Sequence, residues 1–279
     1  MAPRTLPENF PMYAFLSLLL AATAFTPWPV LKPNVVTVRA SEFAFSAPKS
    51  VPAGTITFHM VNNGKQLHHV SIIKLLHGKT VADYVAAMKK PGPPPAWSVE
   101  VGGPNAAVPG GSSDATVTLE PGQYALVCFV PSPGEMAPHL MKGMITALTV
   151  TPSSAASAEP AADVNIHLSD YKFTLSRPMT AGHHVIKVTN DAAQPHEVLF
   201  VKLPPGQTAA KVAQWVEDGQ KGAPPAMPIG GVSPLATGRS STLSMDLAPG
   251  TYGMICFLPD AKDGKPHSMH GMTTQFEVK

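Results

Sequence analysis

Apolar and polar residues alternate over several short stretches of the chain. Ile56, Phe58 and Met60 form one such run, Ala115, Val117 and Leu119 a second, and Leu243, Met245 and Leu247 a third. A period of two puts every second side chain on one face of an extended segment, so each run predicts a half-buried β-strand. Val70-Ser71-Ile72-Ile73 is mostly apolar on both faces, as a central strand would be. Pro121-Gly122 and Pro249-Gly250 are turn dipeptides placed just before further strands. Two stretches, 80–89 and 208–218, read instead as short helices; Pro93, Pro94 and Pro95 end the first, and Pro224 and Pro225 the second. Many short strands separated by turn signals predict an all-β chain built as β-sandwiches, each interrupted by one helical insertion.

The pattern also repeats. Shifted by 128 residues without a gap, the chain matches itself. Phe45 falls on Phe173, Asn62 on Asn190, Gln66 on Gln194 and His68 on His196. Gly102-Gly103 falls on Gly230-Gly231, Cys128-Phe129 on Cys256-Phe257, and Gly143-Met144 on Gly271-Met272. Two copies of one domain are expected, at 36–151 and 163–279. The segment 152–162, rich in Ser, Ala, Pro and Glu with no bulky apolar residue, reads as a linker. Gly102-Gly103 and Gly110-Gly111 read as turns.

Composition narrows the function. Charged residues make up 14% of the chain and the formal charge is +2, against roughly 25% charged in an average soluble protein. No basic stripe for nucleic acid is expected, nor an acidic solvating chain. The 31 Pro and 22 Gly make the chain loop-rich, and 44% hydrophobic residues suffice for a core. Two cysteines, far apart, exclude a disulfide scaffold and a four-cysteine zinc module. Near the N-terminus an apolar run at 12–24 follows Arg4. It falls short of the roughly 20 residues of a membrane-spanning helix. Pro27 and Pro29 follow it, and Ala22-Thr23-Ala24 is a small-x-small pattern. A signal peptide at 1–24 is expected. The mature protein would then be periplasmic or secreted, with no membrane span; an uncleaved anchor is the alternative.

The two copies differ at most positions, so the polar residues they keep are informative. Both keep a His on the central strand, a Cys after the Pro-Gly turn and its strand, a second His 11 residues later and a Met five residues after that. These are His68, Cys128, His139 and Met144 in the first copy, and His196, Cys256, His267 and Met272 in the second. Two imidazoles and a thiolate form a trigonal set, and a thioether adds a weak axial ligand, which is the type 1 copper arrangement. Two copper ions are expected, one per domain. A Cys128–Cys256 disulfide would leave the His and Met companions of each Cys without a role. Structural zinc rarely takes a thioether.

In these residues the chain resembles the cupredoxin family, over both copies. The resemblance rests on Tyr124-Ala125-Leu126-Val127-Cys128 followed by His139 and Met144, and on Tyr252-Gly253-Met254-Ile255-Cys256 followed by His267 and Met272. It implies two Greek-key sandwiches and blue-copper electron transfer. The ten residues between Cys and His resemble the longer loop in the first domain of copper nitrite reductases. The family often has Asn directly after the first His, bracing the thiolate loop; His69 and Glu197 stand there instead.

Catalytic family members add a second copper centre, using a His next to the copper Cys or His-x-His pairs. Val127 and Ile255 precede the cysteines, and none of the 11 His forms such a pair. At His183-His184, strand neighbours face opposite ways. No catalytic residue is therefore assigned. The expected function is electron transfer, with a redox partner docking near His139 or His267, through whose imidazole edges electrons would pass. The alternatives are a copper chaperone or sequestering protein, with Met136, Met141 and Met269 as a transfer surface, and a two-domain copper oxidase or reductase. His59, His77 and His167 read as surface residues. His270, three residues after His267, reads as a spare ligand or an edge for electron transfer.

Overall fold

The computed structural model describes residues 1–3, 34–135, 137–154 and 157–279. All but the first three residues of the expected signal peptide, and Met136, lie outside them. The chain separates into two compact units, Met1–Val30 and Leu31–Lys279. Every element below belongs to the second.

The first half carries β1 (Asn34–Ser41), β2 (Ala44–Ser46), β3 (Ser50–Pro52), β4 (Gly54–Asn62), β5 (Ser71–Leu75), α1 (Val81–Met88), β6 (Ser98–Glu100), β7 (Ser112–Leu119), β8 (Gly122–Val127) and β9 (Ile145–Thr151). The second carries β10 (Val164–Ser169), β11 (Lys172–Leu175), β12 (Gly182–Asn190), β13 (His196–Leu203), α2 (Ala209–Glu217), β14 (Met227–Leu235), β15 (Ser240–Leu247), β16 (Gly250–Ile255) and β17 (Thr273–Val278). The strand pairings of the first half recur in the second at the same spacing. Gly54 faces Leu119 as Gly182 faces Leu247, and Ser71 faces Val127 as Leu199 faces Ile255.

The alternating runs bury one face each. Ile56, Phe58, Met60, Val117 and Leu119 fill one core with Val36, Val38 and Leu126. Leu243, Met245 and Leu247 join Ile186, Val188, Phe200 and Met254 in the other. Both faces of β5 are buried for a reason the helix supplies: Ile72 faces the sandwich core, while Ile73 joins Tyr84 of α1 on the outer side. In the second half Val212 of α2 packs beside Val201 and Ile255 in the same way. Both helices start at a threonine cap. The Thr80 side chain accepts from the Asp83 N–H, and Thr208 from that of Lys211.

The halves share their sheets. One eight-stranded sheet runs β11-β10-β12-β15-β7-β4-β1-β2, crossing from half to half where Thr242 of β15 faces Thr116 of β7. The cysteine-bearing layer holds a five-stranded sheet, β3-β9-β8-β5-β6, and a four-stranded one, β14-β13-β16-β17. Between them lies the segment 101–107. On one side Val70 and Ile72 donate to the carbonyls of Pro104 and Gly102, both at 2.9 Å. On the other, Val101 and Pro104 bridge to Leu235 and Val232 of β14. The crossing contacts are reciprocal. The Asn105 N–H donates to Gly231 O (3.1 Å), and its counterpart Ser233 donates to Gly103 O (2.8 Å). Like patch meets like patch, as in an isologous dimer interface written into one chain.

This corrects the reading of Gly102-Gly103 as a turn. Gly103 has φ +132° and Gly231 φ +143°. A Cβ on Gly103 would sit 2.2 Å from Val70 O, and one on Gly231 2.1 Å from Val198 O. The glycines let one strand slot against its neighbour at the joint between the halves.

Candidate metal centre

Each cysteine is the first residue after its strand, β8 or β16. Four backbone hydrogen bonds fold the following loop back onto it. Cys128 N–H donates to Met144 O (3.2 Å), Leu140 N–H to Cys128 O (2.8 Å), His139 N–H to Val130 O (2.9 Å) and Met144 N–H to His139 O (3.0 Å). The second half repeats all four with Cys256, Met272, Ser268, His267 and Leu258, at 2.8–3.2 Å. A short 3-10 helix carries each second histidine, His139–Lys142 and His267–His270. It ends at a left-handed glycine, Gly143 (φ 97°) or Gly271 (φ 93°), that turns Met144 or Met272 inward. The remaining histidine comes from the facing segment. His68 bridges to Ala107 just before β5, and His196 opens β13.

The sequence-chosen donors meet. His68 Nδ1 lies 3.9 Å and His139 Nδ1 3.5 Å from Cys128 Sγ, with 3.1 Å between the two nitrogens. In the second half, His196 Nδ1 is 3.8 Å and His267 Nδ1 3.4 Å from Cys256 Sγ. A metal with bonds of about 2.0 Å to nitrogen and about 2.3 Å to sulfur, centred in such a triangle, needs edges of roughly 3.3–3.7 Å. Both triangles fit. All six donors are fully buried, as are Met144 and Met272, each in the same core cluster as its cysteine. Both cysteines are free thiols.

The outer ring nitrogens have oxygen neighbours, which leaves Nδ1 free to ligate. His139 Nε2 lies 3.1 Å from Gln66 Oε1, and His196 Nε2 3.1 Å from Asp170 Oδ1. His68 Nε2 faces Glu42 at 3.6 Å and His267 Nε2 faces Asp260 at 4.0 Å, too far for a hydrogen bond. Burial takes His139 and His267 down to about 4 and lowers His68 and His196 as well. The imidazoles are thus neutral at neutral pH, as ligands must be. Burial pushes the Cys128 thiol up to about 12 and raises Cys256 too. A cation is what would make a thiolate in either place. A soft thiolate, two imidazoles and a buried thioether match copper better than structural zinc.

Sequence reading missed the residues around the donors. Gln66 was visible as a repeat match without a role. Glu42 and Asp170 hold matching positions but differ in type, as do Phe43 and Tyr171, whose rings sit 4.9 Å from His139 and 5.6 Å from His267. His69 and Glu197 depart from the family's Asn yet do the bracing. His69 Nε2 accepts the N–H of Phe129 at 2.9 Å, and Glu197 Oε1 accepts that of Phe257 at 3.2 Å. The remaining histidines are peripheral. His77 and His167 are exposed, and His59 pairs with Asp114 at 2.6 Å. His183 is exposed and His184 buried, facing opposite ways. His270 lies outside the second donor triangle, its ring tilted against that of Tyr171 at 4.9 Å and its Nε2 3.2 Å from Asp263. Asp260, Asp263 and His270 cluster there.

No protein-family model and no curated protein matches the chain. Among solved structures, it is similar to a reduced auracyanin from the photosynthetic bacterium Roseiflexus castenholzii (26% identity, 43% of this chain and 99% of that chain, TM-score 0.29). It is also similar to a copper-containing nitrite reductase from Thermus scotoductus (12% identity, 89% of this chain and 62% of that chain, TM-score 0.24). A third is a blue copper oxidase from Nitrosomonas europaea (14%, 88% and 86%, TM-score 0.26). The superpositions are partial, and the copper reading rests on the donors. The chain is all-β with two sites fit for copper, and the likeness to cupredoxins read from its sequence stands on the same eight residues.

Proposed function

We propose that the chain is an exported electron carrier holding one type 1 copper in each half, ligated by His68, Cys128, His139 and Met144 and by His196, Cys256, His267 and Met272. The observation that supports this reading is the duplicated, fully buried His-Cys-His triangle with a buried methionine in the same core cluster. Bound copper would supply one-electron chemistry, and the chain's own residues hold it still. The hydrogen-bonded Cys–His–Met loops fix three donors, so little moves when the charge changes. Burial excludes water, and Gln66 and Asp170 orient imidazoles.

Because His139 and His267 are fully covered, a redox partner would touch what lies above them. In the first half that is Gln66 and Phe43, with Lys142 Nζ over the Phe43 ring at 4.6 Å. In the second it is Tyr171, hydrogen-bonded to Asp260. A copper-handling role is the second reading. Met141 and Met269, each beside a buried histidine, are 44% and 59% exposed, and thioethers bind Cu(I).

Metal analysis and an optical spectrum of the purified protein test the proposal. Two coppers per chain with an intense visible thiolate-to-copper band are expected. Rapid loss of copper to an apo-acceptor together with slow electron self-exchange would favour the second reading. Turnover of oxygen or nitrite would make the chain an enzyme.

A further inference from the structure

The residues that brace the two cysteines flank the joint between the halves. His69 and Glu197 are both buried, and each holds the peptide N–H that follows a cysteine. The second oxygen of Glu197 accepts a hydrogen bond from Asn105 Nδ2 at 3.1 Å. Asn105 belongs to the other half and is itself buried. The peptide after His69 reaches the residue before Asn105: Val70 N–H donates to Pro104 O at 2.9 Å. The Asn105 amide further donates to the carbonyls of Val198 and Val232, each at 3.2 Å, so the group cannot swing away. The reciprocal backbone bonds of Asn105 to Gly231 and of Ser233 to Gly103 hold the joint on both sides.

We propose that Asn105 closes an internal electron route between the two copper centres, running Cys128, Phe129 N–H, His69, Val70 N–H, Pro104 O, Asn105, Glu197, Phe257 N–H, Cys256. The proposal rests on the copper reading above. In the step, the donor centre is oxidised by one electron and the acceptor centre reduced by one. No bond forms or breaks and no proton moves. Electron tunnelling falls off less steeply through covalent and hydrogen bonds than across van der Waals gaps, and this chain has no such gap. One asparagine is enough. Its counterpart Ser233 has a shorter side chain, whose hydroxyl is already placed on Pro104 O at 3.0 Å. The route would let one half take an electron from a reductant while the other half delivers it.

The test uses the full copper-loaded chain. A short radical pulse places less than one electron per molecule, and the redistribution between centres is followed optically. Cys128→Ser and Cys256→Ser chains give the spectrum of each centre alone. A concentration-independent phase is expected in the wild type, slowed several-fold by Asn105→Ser and unchanged by Ser233→Ala. The backbone ladder through 101–107 leaves a slower path, so the phase should not vanish. Serine stands at the matching place in the other half, which favours folding of the variant; Asn105→Thr is the substitute. A second readout needs no copper: in the metal-free chain, Asn105→Ser should speed hydrogen exchange of the Phe257 amide, which Glu197 holds, more than that of the Phe129 amide, which His69 holds. An unchanged rate in a fully blue variant, or unchanged exchange at the Phe257 amide, overturns the route. A chain without the blue band fails before any pulse, and that overturns the copper reading and the route with it.

Discussion

The two donor sets have the same four residue types but different surroundings. Around the first, Glu42, Gln66 and Phe43 lie against the imidazoles, and Lys142 pairs with Glu135 at 2.8 Å. Around the second, Asp170 and Asp260 flank the imidazoles, Tyr171 replaces Phe43, and His270 pairs with Asp263. Some features survive in kind: a cation-capable side chain, Lys142 or His270, lies against the aromatic ring in both. What changes is charge. Ser132 of the first half becomes Asp260, a carboxylate that Tyr171, Gln194 and two backbone N–H groups hold well below the usual range. A bound metal would constrain what touches it. The residues behind are free to set potential and partner, and here they have diverged.

The sharpest way to break the comparison is to remove one centre. Cys128→Ser should abolish about half of the visible absorbance and one of two coppers, and Cys256→Ser the other half, on the assumption of two similar type 1 sites. Absorbance with metal analysis checks this. Loss of the whole band from one substitution would show that the halves are not equivalent.

The joint offers the next test. Gly103→Ala and Gly231→Ala each drive a Cβ into a backbone carbonyl at a φ that L-residues rarely adopt. Each should cost about 2 kcal/mol or more, a fall of roughly 4–8 °C in Tm for a chain of this size. Thermal unfolding should give similar losses for the two. Clearly unequal losses would mean that the matching contacts are not energetically alike.

The electrostatic difference predicts unequal potentials. Carboxylates stabilise the more positive oxidised ion, so the Cys256 centre should have the lower potential. Asp260→Asn should raise it by on the order of 50 mV, close to tenfold in a one-electron equilibrium, and leave the Cys128 centre unchanged. A redox titration of each single-site chain measures both. Met144→Leu and Met272→Leu should keep copper and shift both potentials alike, because a long axial bond contributes little to affinity.

Much of this was legible in the sequence, for physical reasons. Alternation revealed Ile56, Phe58 and Met60 because a sandwich strand must bury one face. The eight donors stood out because a metal tolerates few substitutions and the chain contains its own comparison. The surroundings were opaque because that comparison fails where the halves diverge: Ser132 does not point to Asp260, nor Ser233 to Asn105. Gly102-Gly103 looked like a turn because a glycine pair marks unusual φ without saying whether a bend or a close neighbour requires it. The shared eight-stranded sheet was invisible because Thr116 and Thr242 meet across 126 residues and carry no local signal.

The smallest expected effect lies at the start of β10, where, among the described residues, only the second half has an ion cluster. Asp163 accepts from the Val185 N–H at 2.7 Å, lies 2.7 Å from His184 Nδ1 and pairs with Arg177. Its matching residue in the first half is the exposed Val35. Despite partial burial, which opposes ionisation, these partners hold the Asp163 carboxyl at about 2 against an ordinary 3.8. A depressed folded pKa means that the stabilisation is present above the ordinary value. It is lost as pH falls from about 3.8 through about 2. The carboxylate is about a third exposed, so solvent screening keeps the effect modest. Asp163→Asn should therefore lower Tm slightly at neutral pH, and the gap to wild type should close across that acidic window. Val35→Asp, lacking these partners, should not reproduce the gain. A difference between Asp163→Asn and wild type that persists unchanged below pH 2 would show that shape rather than charge anchors this strand.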